Sequence, residues 1–373
     1  MAELNQVSRR SLAREPRTLV RLNDVDFAPQ SWSVVTNTFY QANTAEVTFS
    51  LGHLKRDQQL DYFAKQRDIR VEIYAGFLPS HRDPNEYARA DLDRIFFGDV
   101  DDITMDPVKQ NVRLRCRDLT HLFIDNTTTE KYTEMTASEI AAKLAKDRGL
   151  KSRVVDTKVV SGVIYKDQHT VLETERSEWD LITYLAQSEN YLAYIDEETL
   201  VFVPRGSTAG DPYRLHWEPP TVGEGQFSNM IRFEAKRSLS LSREVVVKVR
   251  SWNRQKKKGF TKTVTATNSQ RTKSRGGTAT THVVRQGGLT EEEAIQLGRK
   301  KLKEITDHEI RIVAVLPGDS LIKPETVLQV TGTRSDLDQT YFVDNVLRKF
   351  DFRTGYTMEV RAKNSSTQEQ VVG

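Results

Sequence analysis

The residues whose types and spacing could support chemistry are concentrated in one basic run, Lys248–Arg275. This run contains ten Lys or Arg residues and no Asp or Glu, although the whole chain carries a net charge of only +3. Clustered positive charge of this kind can contact phosphate groups or carboxylates. We assign a candidate interface to eight cations of this run: Arg254, Lys256, Lys257, Lys258, Lys262, Arg271, Lys273 and Arg275.

Three interpretations of the basic run are open. Three consecutive lysines precede Gly259, a pattern typical of the tip of a solvated hairpin that becomes ordered on assembly. The run could also dock on an acidic neighbouring protein. Contact with nucleic acid is the third interpretation, but only Trp252 and Phe260 supply aromatic rings for base stacking.

A second group of residues is acidic. Asp99, Asp101, Asp102 and Asp106 follow a predicted strand, and several carboxylates close together suit a calcium ion. The residue order of an EF-hand is absent, however, and Val100 alternates with the acids as a strand residue would. The pattern favours a solvated strand end over a metal site, and we expect no metal and no cofactor.

The usual catalytic signatures are absent from the sequence. It has no H-E-x-x-H pair, no G-x-S-x-G elbow, and a Gly276-Gly277 pair without the Lys-Ser/Thr of a phosphate loop. The single cysteine, Cys116, excludes an internal disulfide, and its alternation with arginines predicts that it points inward. The chain is therefore not expected to be an enzyme. A carbohydrate-binding or cell-wall enzyme is kept as a lower-ranked hypothesis, because two catalytic carboxylates leave no local signature.

Composition places the chain among ordinary globular proteins. Its 373 residues are enough for two or three domains, with 37% hydrophobic and 29% charged residues. No apolar run approaches the roughly 20 residues that span a bilayer, and the first residues lack the apolar core of a secretory signal. We expect a protein that is not inserted in a membrane and is assembled in a reducing cytoplasm.

The elements that must position these residues alternate along the chain. Strand patterns such as Ile69–Phe77 fill residues 17–125, and a smaller α/β segment follows, whose first helix opens with a capping box at Thr136. Strands then return, among them Asn229–Glu234, with one helix that is capped by Thr290 and weakened in its middle by Gly298. The predicted fold class is α+β, mainly β. The sequence predicts a first β domain at 17–125, an α/β insert at 126–204, and a second β domain at 205–364 with a basic hairpin at 248–278. Flexible tails are predicted at 1–16 and 365–373.

One stretch of the α/β insert is more specific than the rest. Its sequence is ERSEWDLITYLAQSENYLAYIDEETLVFVP, from Glu175 to Pro204. Ser177 and Asp180 have the spacing of a helix capping box, and Trp179 opens the apolar helix face. Two short apolar strands follow, joined by the polar turn Asp196-Glu197-Glu198.

This helix and hairpin resemble the baseplate hub proteins of contractile phage tails. The family includes the late control protein D group and the hub portion of the VgrG spikes of type VI secretion. The resemblance implies two tube-type β-barrel domains that flank a smaller α/β region. It also implies a homotrimer that presents six barrels to a sixfold tail tube and adapts it to a threefold spike, with a channel for gene ejection.

The resemblance also implies the partners and the location. The implied partners are the tail tube protein, a spike protein, other baseplate proteins, the tape measure protein and DNA in transient passage. The implied location is the tail baseplate of a virion. VgrG chains continue into a needle, whereas this chain stops near Lys363, so the spike is expected to be a separate polypeptide. The alternative hypothesis is a nucleic-acid-binding β protein that uses the basic arm 248–275.

Overall fold

The structure is a computed structural model in which the fold is α+β and mainly β, as the sequence predicts. It describes the following residues: 15–38, 40–78, 88–128, 132, 135–158, 176–204, 211–223, 225–238, 245–253, 258–266, 280–306, 310–364 and 369–372. Among these residues, none of the helices is long and apolar enough to cross a membrane.

The strands of the first two thirds of the chain are β1 to β15. They are β1 (Pro16–Leu22), β2 (Val25–Phe27), β3 (Ser31–Asn37), β4 (Thr44–Ser50), β5 (Arg70–Phe77), β6 (Asp93–Asp106), β7 (Asn111–Asp118), β8 (Thr127–Thr128), β9 (Lys151–Val154), β10 (Arg176–Ser177), β11 (Tyr191–Asp196), β12 (Thr199–Pro204), β13 (Tyr213–Glu218), β14 (Phe227–Ser228) and β15 (Arg232–Arg237).

The remaining strands and the helices complete the description. The strands are β16 (Val245–Asn253), β17 (Lys258–Ala266), β18 (Thr280–Arg285), β19 (Ile310–Pro317), β20 (Val327–Thr331), β21 (Thr340–Asp351), β22 (Gly355–Asn364) and β23 (Glu369–Val372). The helices are α1 (Leu60–Lys65), α2 (His121–Ile124), α3 (Ala137–Asp147), α4 (Glu178–Glu189) and α5 (Glu291–Thr306). Short 3₁₀ turns cover Leu51–His53, Arg56–Gln58 and Arg89–Asp91.

The first seven strands form an antiparallel array in the order β3-β4-β7-β6-β5-β1-β2. Their apolar residues alternate, so that Val71, Ile73 and Ala75 of β5 all point into one core. Phe27 and Phe49 lie at the centre of this core with their ring centroids 5.5 Å apart. The alternation read from the sequence is therefore confirmed in these strands.

Strands from the two ends of the chain share one sheet. β21 pairs antiparallel with β3, from Asn345 opposite Asn37 to Asp351 opposite Ser31. The C-terminal strands β13, β20, β21, β22, β19 and β15 continue from this seam around a second core. A continuous ladder of hydrogen bonds thus connects the N-terminal and C-terminal strand-rich blocks, while their division into separate domains stays a prediction.

The α/β insert packs around a core of its own. Helices α3 and α4 cover the sheet β11-β12-β9, and both helices begin with the capping boxes that the sequence predicts. Trp179 is buried, and its Nε1 donates a hydrogen bond of 2.7 Å to the carbonyl oxygen of Tyr40. The tryptophan of the hub-like motif therefore joins the insert to the first block of strands.

The basic hairpin belongs to a separate four-stranded sheet, in the order β18-β16-β17-β23. Helix α5 packs on one face of this sheet, against a row of valines that includes Val247, Val249 and Val264. Residues 369–372 were expected to lie in a flexible tail but form β23, since they pair with β17. The predicted strand at 229–234 is displaced to Arg232–Arg237, where it pairs with β19.

Candidate functional site

A polar cleft lies where three parts of the structure meet. It has a volume of about 290 Å³ and lies between the start of β6, the β11–β12 turn and the segment Ser320–Pro324. Its lining is rich in charged groups: Asp93, Arg94, Asp118, Asp196, Glu197, Lys323 and Arg348. We call this region the junction cleft.

Arg94 connects the first block of strands to the insert. Its Nε donates to Glu197 Oε1 over 2.9 Å, its Nη2 donates to Glu197 Oε2, and its Nη1 lies 3.0 Å from Glu72 Oε2. Burial disfavours the Glu72 carboxylate, but hydrogen bonds from Tyr74 and Arg94 outweigh it, so the pKa of Glu72 falls below its ordinary value. A bidentate ion pair between Arg94 and Glu197 thus holds the β11–β12 turn against β6.

The insert is tied in the same way to the C-terminal block. Lys323 Nζ lies 2.7 Å from Asp196 Oδ2, and Arg153 Nη2 lies 3.0 Å from Glu325 Oε1. Adjacent residues of one tight turn, Asp196 and Glu197, thus contact different blocks of the molecule. Each ion pair is partly exposed and contributes little energy by itself. Together the ion pairs position the β11–β12 hairpin between the two blocks.

A buried polar cluster organises the floor of the junction cleft. Arg348 donates from Nε to the carbonyl oxygen of Asp319 over 2.7 Å and from Nη2 to that of Ile322 over 2.6 Å. The Tyr213 hydroxyl donates to Asp319 Oδ2 over 2.7 Å, and Tyr356 donates to the Asp319 carbonyl. Burial raises the pKa of Asp319 above its ordinary value. These bonds satisfy an arginine that is only 4% exposed.

Asp118 also lines the junction cleft, but its carboxyl group is not fully hydrogen-bonded. Its Oδ1 accepts from the backbone N–H of Thr120, whereas its Oδ2 is buried without a hydrogen-bond partner. Burial raises the pKa of Asp118 to about 6, despite the opposing hydrogen bonds. A carboxyl group in this state costs stability when it is ionised at neutral pH.

The acidic cluster after the first strands is engaged in protein contacts. Asp99 Oδ2 lies 2.9 Å from His121 Nε2, and Asp101 Oδ2 accepts from Arg117 Nε over 2.7 Å. Asp106 accepts from the backbone N–H groups of the following turn, while Asp102 is exposed. In the described ranges, no three His, Cys, Asp or Glu side chains are arranged to hold a metal ion.

The predicted interface residues are only partly described. Lys262 lies on β17, where its Nζ is 2.9 Å from Glu291 Oε2 at the start of α5, so its charge is already compensated. Lys258 begins β17. The other six positions lie outside the described residues: Arg254, Lys256, Lys257, Arg271, Lys273 and Arg275. Their role as an interface stays a prediction.

Sequence analysis did not detect the junction cleft. Its ion pairs join residues far apart in the chain, 103 positions in the pair of Arg94 and Glu197 and 172 in the pair of Arg153 and Glu325. The local signal nearest to the cleft is the polar turn Asp196-Glu197-Glu198, which does not specify what its carboxylates contact. Burial of Asp319 and Arg348 had no signal in the local pattern.

The fold is that of phage tail proteins. The tail protein from Neisseria meningitidis MC58 matches with a TM-score of 0.63 and 12% sequence identity, over 94% of this chain and 97% of that chain. The 43 kDa tail protein of prophage MuSo2 from Shewanella oneidensis matches with a TM-score of 0.63 and 14% identity, over 93% and 98% of the two chains. Prophage tail protein gp18 from Listeria monocytogenes EGD-e matches with a TM-score of 0.55 and 11% identity, over 94% and 95%.

The sequence also identifies a family. The YQBQ-like family profile matches residues 87–363, which is well over half of the chain, and the chain belongs to this family. No curated protein matches the sequence significantly.

Proposed function

We propose that this chain is a structural protein of a phage-type tail, located in the virion tail. The observation that carries the proposal is the likeness of fold to three tail proteins over almost the whole length of each chain. A match of this extent includes both strand-rich blocks and the insert rather than one common module. The proposed role is one of shape and contact, with no catalytic step and no cofactor.

Within the tail, we propose the finer role of a baseplate hub. In this role the chain forms a homotrimer whose two β units present six similar faces to the sixfold tail tube, with a separate threefold spike below. A ring of this kind requires heterologous contacts that close after three copies. Other baseplate proteins, the tape measure protein and DNA in transit are its further proposed partners.

The junction cleft supports this role by a mechanical argument. A symmetry adapter must keep its two tube-facing units at a fixed mutual angle, because a change in that angle would break the match to the ring above. The pairing of β21 with β3 connects the two strand-rich blocks to each other. The ion pairs of the β11–β12 turn connect both blocks to the insert. Rigid, multiply connected units are what such an adapter needs.

The trimer is tested by the mass of the purified chain in solution, measured by light scattering over a range of protein concentrations and salt. We expect a mass three times that of the 42.7 kDa chain. A monomer or dimer that persists at the highest concentration would contradict the homotrimer. A complex with duplex DNA that dissociates steeply with salt would instead favour the alternative, a nucleic-acid-binding β protein that uses residues 248–275.

A further inference from the structure

One face of the small sheet formed by β18, β16, β17 and β23 is covered and the other is exposed. Helix α5 packs on the valine side, where Val245, Val247 and Val249 are buried. The opposite side carries Trp252, which is 55% exposed, and Val283, which is 47% exposed. A two-layer unit of this kind leaves one sheet surface available for contact.

The exposed face carries several cations in its described part. Register and alternation place Lys248, Arg250 and Arg285 on it, with Arg250 directly opposite Arg285 and Lys248 opposite Val283. On the other side of β16, Thr263 and Thr261 of β17 lie opposite Lys248 and Arg250. None of the described side chains on this face is acidic, in contrast to the helix side, where Glu291 compensates Lys262. We call this surface the basic sheet face.

The facing arginines are unfavourable in the isolated chain. Like charges directly opposite each other on neighbouring strands destabilise a sheet. Neither Arg250 nor Arg285 forms an ion pair with a described residue, and both side chains are exposed. A carboxylate supplied from outside would relieve this repulsion and gain a charge-assisted hydrogen bond.

The indole ring of Trp252 packs beside Gly259 of the neighbouring strand. Trp252 pairs with Gly259 across the hairpin, and a Cβ at Gly259 would lie only 3.3 Å from Trp252 Cε3. The glycine therefore leaves the space in which the ring rests across the neighbouring strand. An aromatic ring has few rotatable bonds, so a partner that covers it orders little additional side-chain freedom.

We propose that the basic sheet face is a docking surface for an acidic protein surface. Trp252 and Val283 form its apolar centre, and Lys248, Arg250 and Arg285 pair with carboxylates of the partner. Tryptophan and arginine are the residues that dominate protein interfaces, whereas a single ring beside threonines gives no stack for successive bases. This inference deepens the proposed tail function and rests on it for the kind of partner, a neighbouring protein of the assembly.

The test uses the full chain and two probes, poly-L-glutamate and a DNA duplex of matched charge. The first variant reverses the face with Lys248→Glu, Arg250→Glu and Arg285→Glu. Its matched control reverses three exposed cations elsewhere, Arg56→Glu, Lys151→Glu and Arg214→Glu, and so carries the same net charge. A separate variant, Trp252→Thr, keeps the charge and a residue suited to a strand.

We expect poly-L-glutamate to bind the unaltered chain more tightly than the duplex does. The face variant should weaken poly-L-glutamate binding about tenfold or more relative to its charge-matched control. Trp252→Thr should weaken it about threefold without changing the salt dependence, because the indole contributes apolar contact. Thermal melts followed by circular dichroism verify folding, and Arg285→Gln on the edge strand replaces the triple variant if that variant does not fold.

Two results would overturn the inference. Equal affinities of the face variant and its control would show that the basic sheet face does not bind acidic chains. Tighter binding of the duplex, lost in the face variant, would assign the face to nucleic acid. Neither result depends on trimer formation or particle assembly, so failure here is distinguishable from failure of the proposed tail function.

Discussion

Gly298 lies in the middle of α5, where a glycine would ordinarily weaken a helix. A Cβ at this position would lie 2.7 Å from Val264 Cγ2 and 3.3 Å from Val249 Cγ2. The missing side chain therefore allows the helix to approach the valine face of the sheet closely. Sequence analysis identified only the helix-weakening effect, because the compensating contact is made by residues distant in the chain.

We predict that Gly298→Ala destabilises the protein, although alanine is the better helix former. Overpacking of the helix against Val264 should lower the free energy of unfolding by about 1–3 kcal/mol. Gly225→Ala is the control, because a Cβ there meets no atom within 4 Å. Urea unfolding of both variants provides the measurement, and a more stable Gly298→Ala protein would contradict the packing argument.

Asp118 gives the protein a pH dependence with a definite sign. Its folded-state pKa is raised to about 6, above the value of about 3.9 expected in the unfolded chain. Between these two values the folded protein binds more protons than the unfolded one, so this group lowers stability as the pH rises through the window. Burial is the largest cause of this shift and outweighs the hydrogen bonds that lower the pKa, since Oδ2 is buried without a hydrogen-bond partner.

We predict that Asp118→Asn removes this contribution. The amide cannot ionise, and its oxygen can still accept the N–H bond of Thr120. The stability of the variant relative to the unaltered protein should increase by about 2 kcal/mol between pH 4 and pH 7. Urea unfolding at a series of pH values tests this, and a difference that stays constant with pH would contradict the assignment.

At the scale of elements, the β11–β12 hairpin is the piece that connects the parts of the molecule. Its turn places Glu197 against Arg94 and Asp196 against Lys323. The turn is tight because Glu197 adopts a left-handed backbone, with φ of 57°. This conformation directs two successive carboxylates to different neighbours.

We predict a measurable but modest coupling between Arg94 and Glu197. A double-mutant cycle with Arg94→Gln and Glu197→Gln should give about 0.5–1 kcal/mol at low salt, since Glu197 is half exposed. The coupling should decrease as salt screens the pair. The pair of Arg232 and Glu359 serves as the control, with coupling near zero, because it is longer at 3.5 Å and its arginine is more exposed than Arg94. Equal coupling in both pairs would argue against the clamp.

Sequence patterns predicted the elements better than their arrangement. The capping boxes at Thr136 and Ser177 and the inward alternation around Cys116 are local, and the structure confirms them. The pairing of β21 with β3 and the parallel pairing of β13 with β20 depend on residues far apart in the chain. No local period encodes such contacts.

Other features also depend on contacts between residues far apart in the chain. Residues 369–372 are too few to be recognised as a strand without their partner β17. The strand expected at 229–234 has its register set by β19, which begins at Ile310. The predicted interface cation Lys262 is compensated by Glu291, whose position depends on how α5 packs.

At the scale of the whole molecule, the two strand-rich blocks are parts of one continuous sheet. The insert is joined to the first block by Trp179 and Arg94 and to the C-terminal block by Lys323 and Arg153. Such a frame has no long free linker among its described residues that would let the blocks rotate independently. It fits a part that transmits a fixed geometry between neighbours in an assembly.

The most direct test of a structural tail role is to delete the gene in the phage or particle-producing strain that carries it. Particles are then imaged by negative-stain electron microscopy, with the unaltered chain supplied in trans as the control. We predict that assembled tails disappear in the deletion strain and return on complementation. Intact tails in the absence of the chain would contradict the proposal that it is a structural part of the tail.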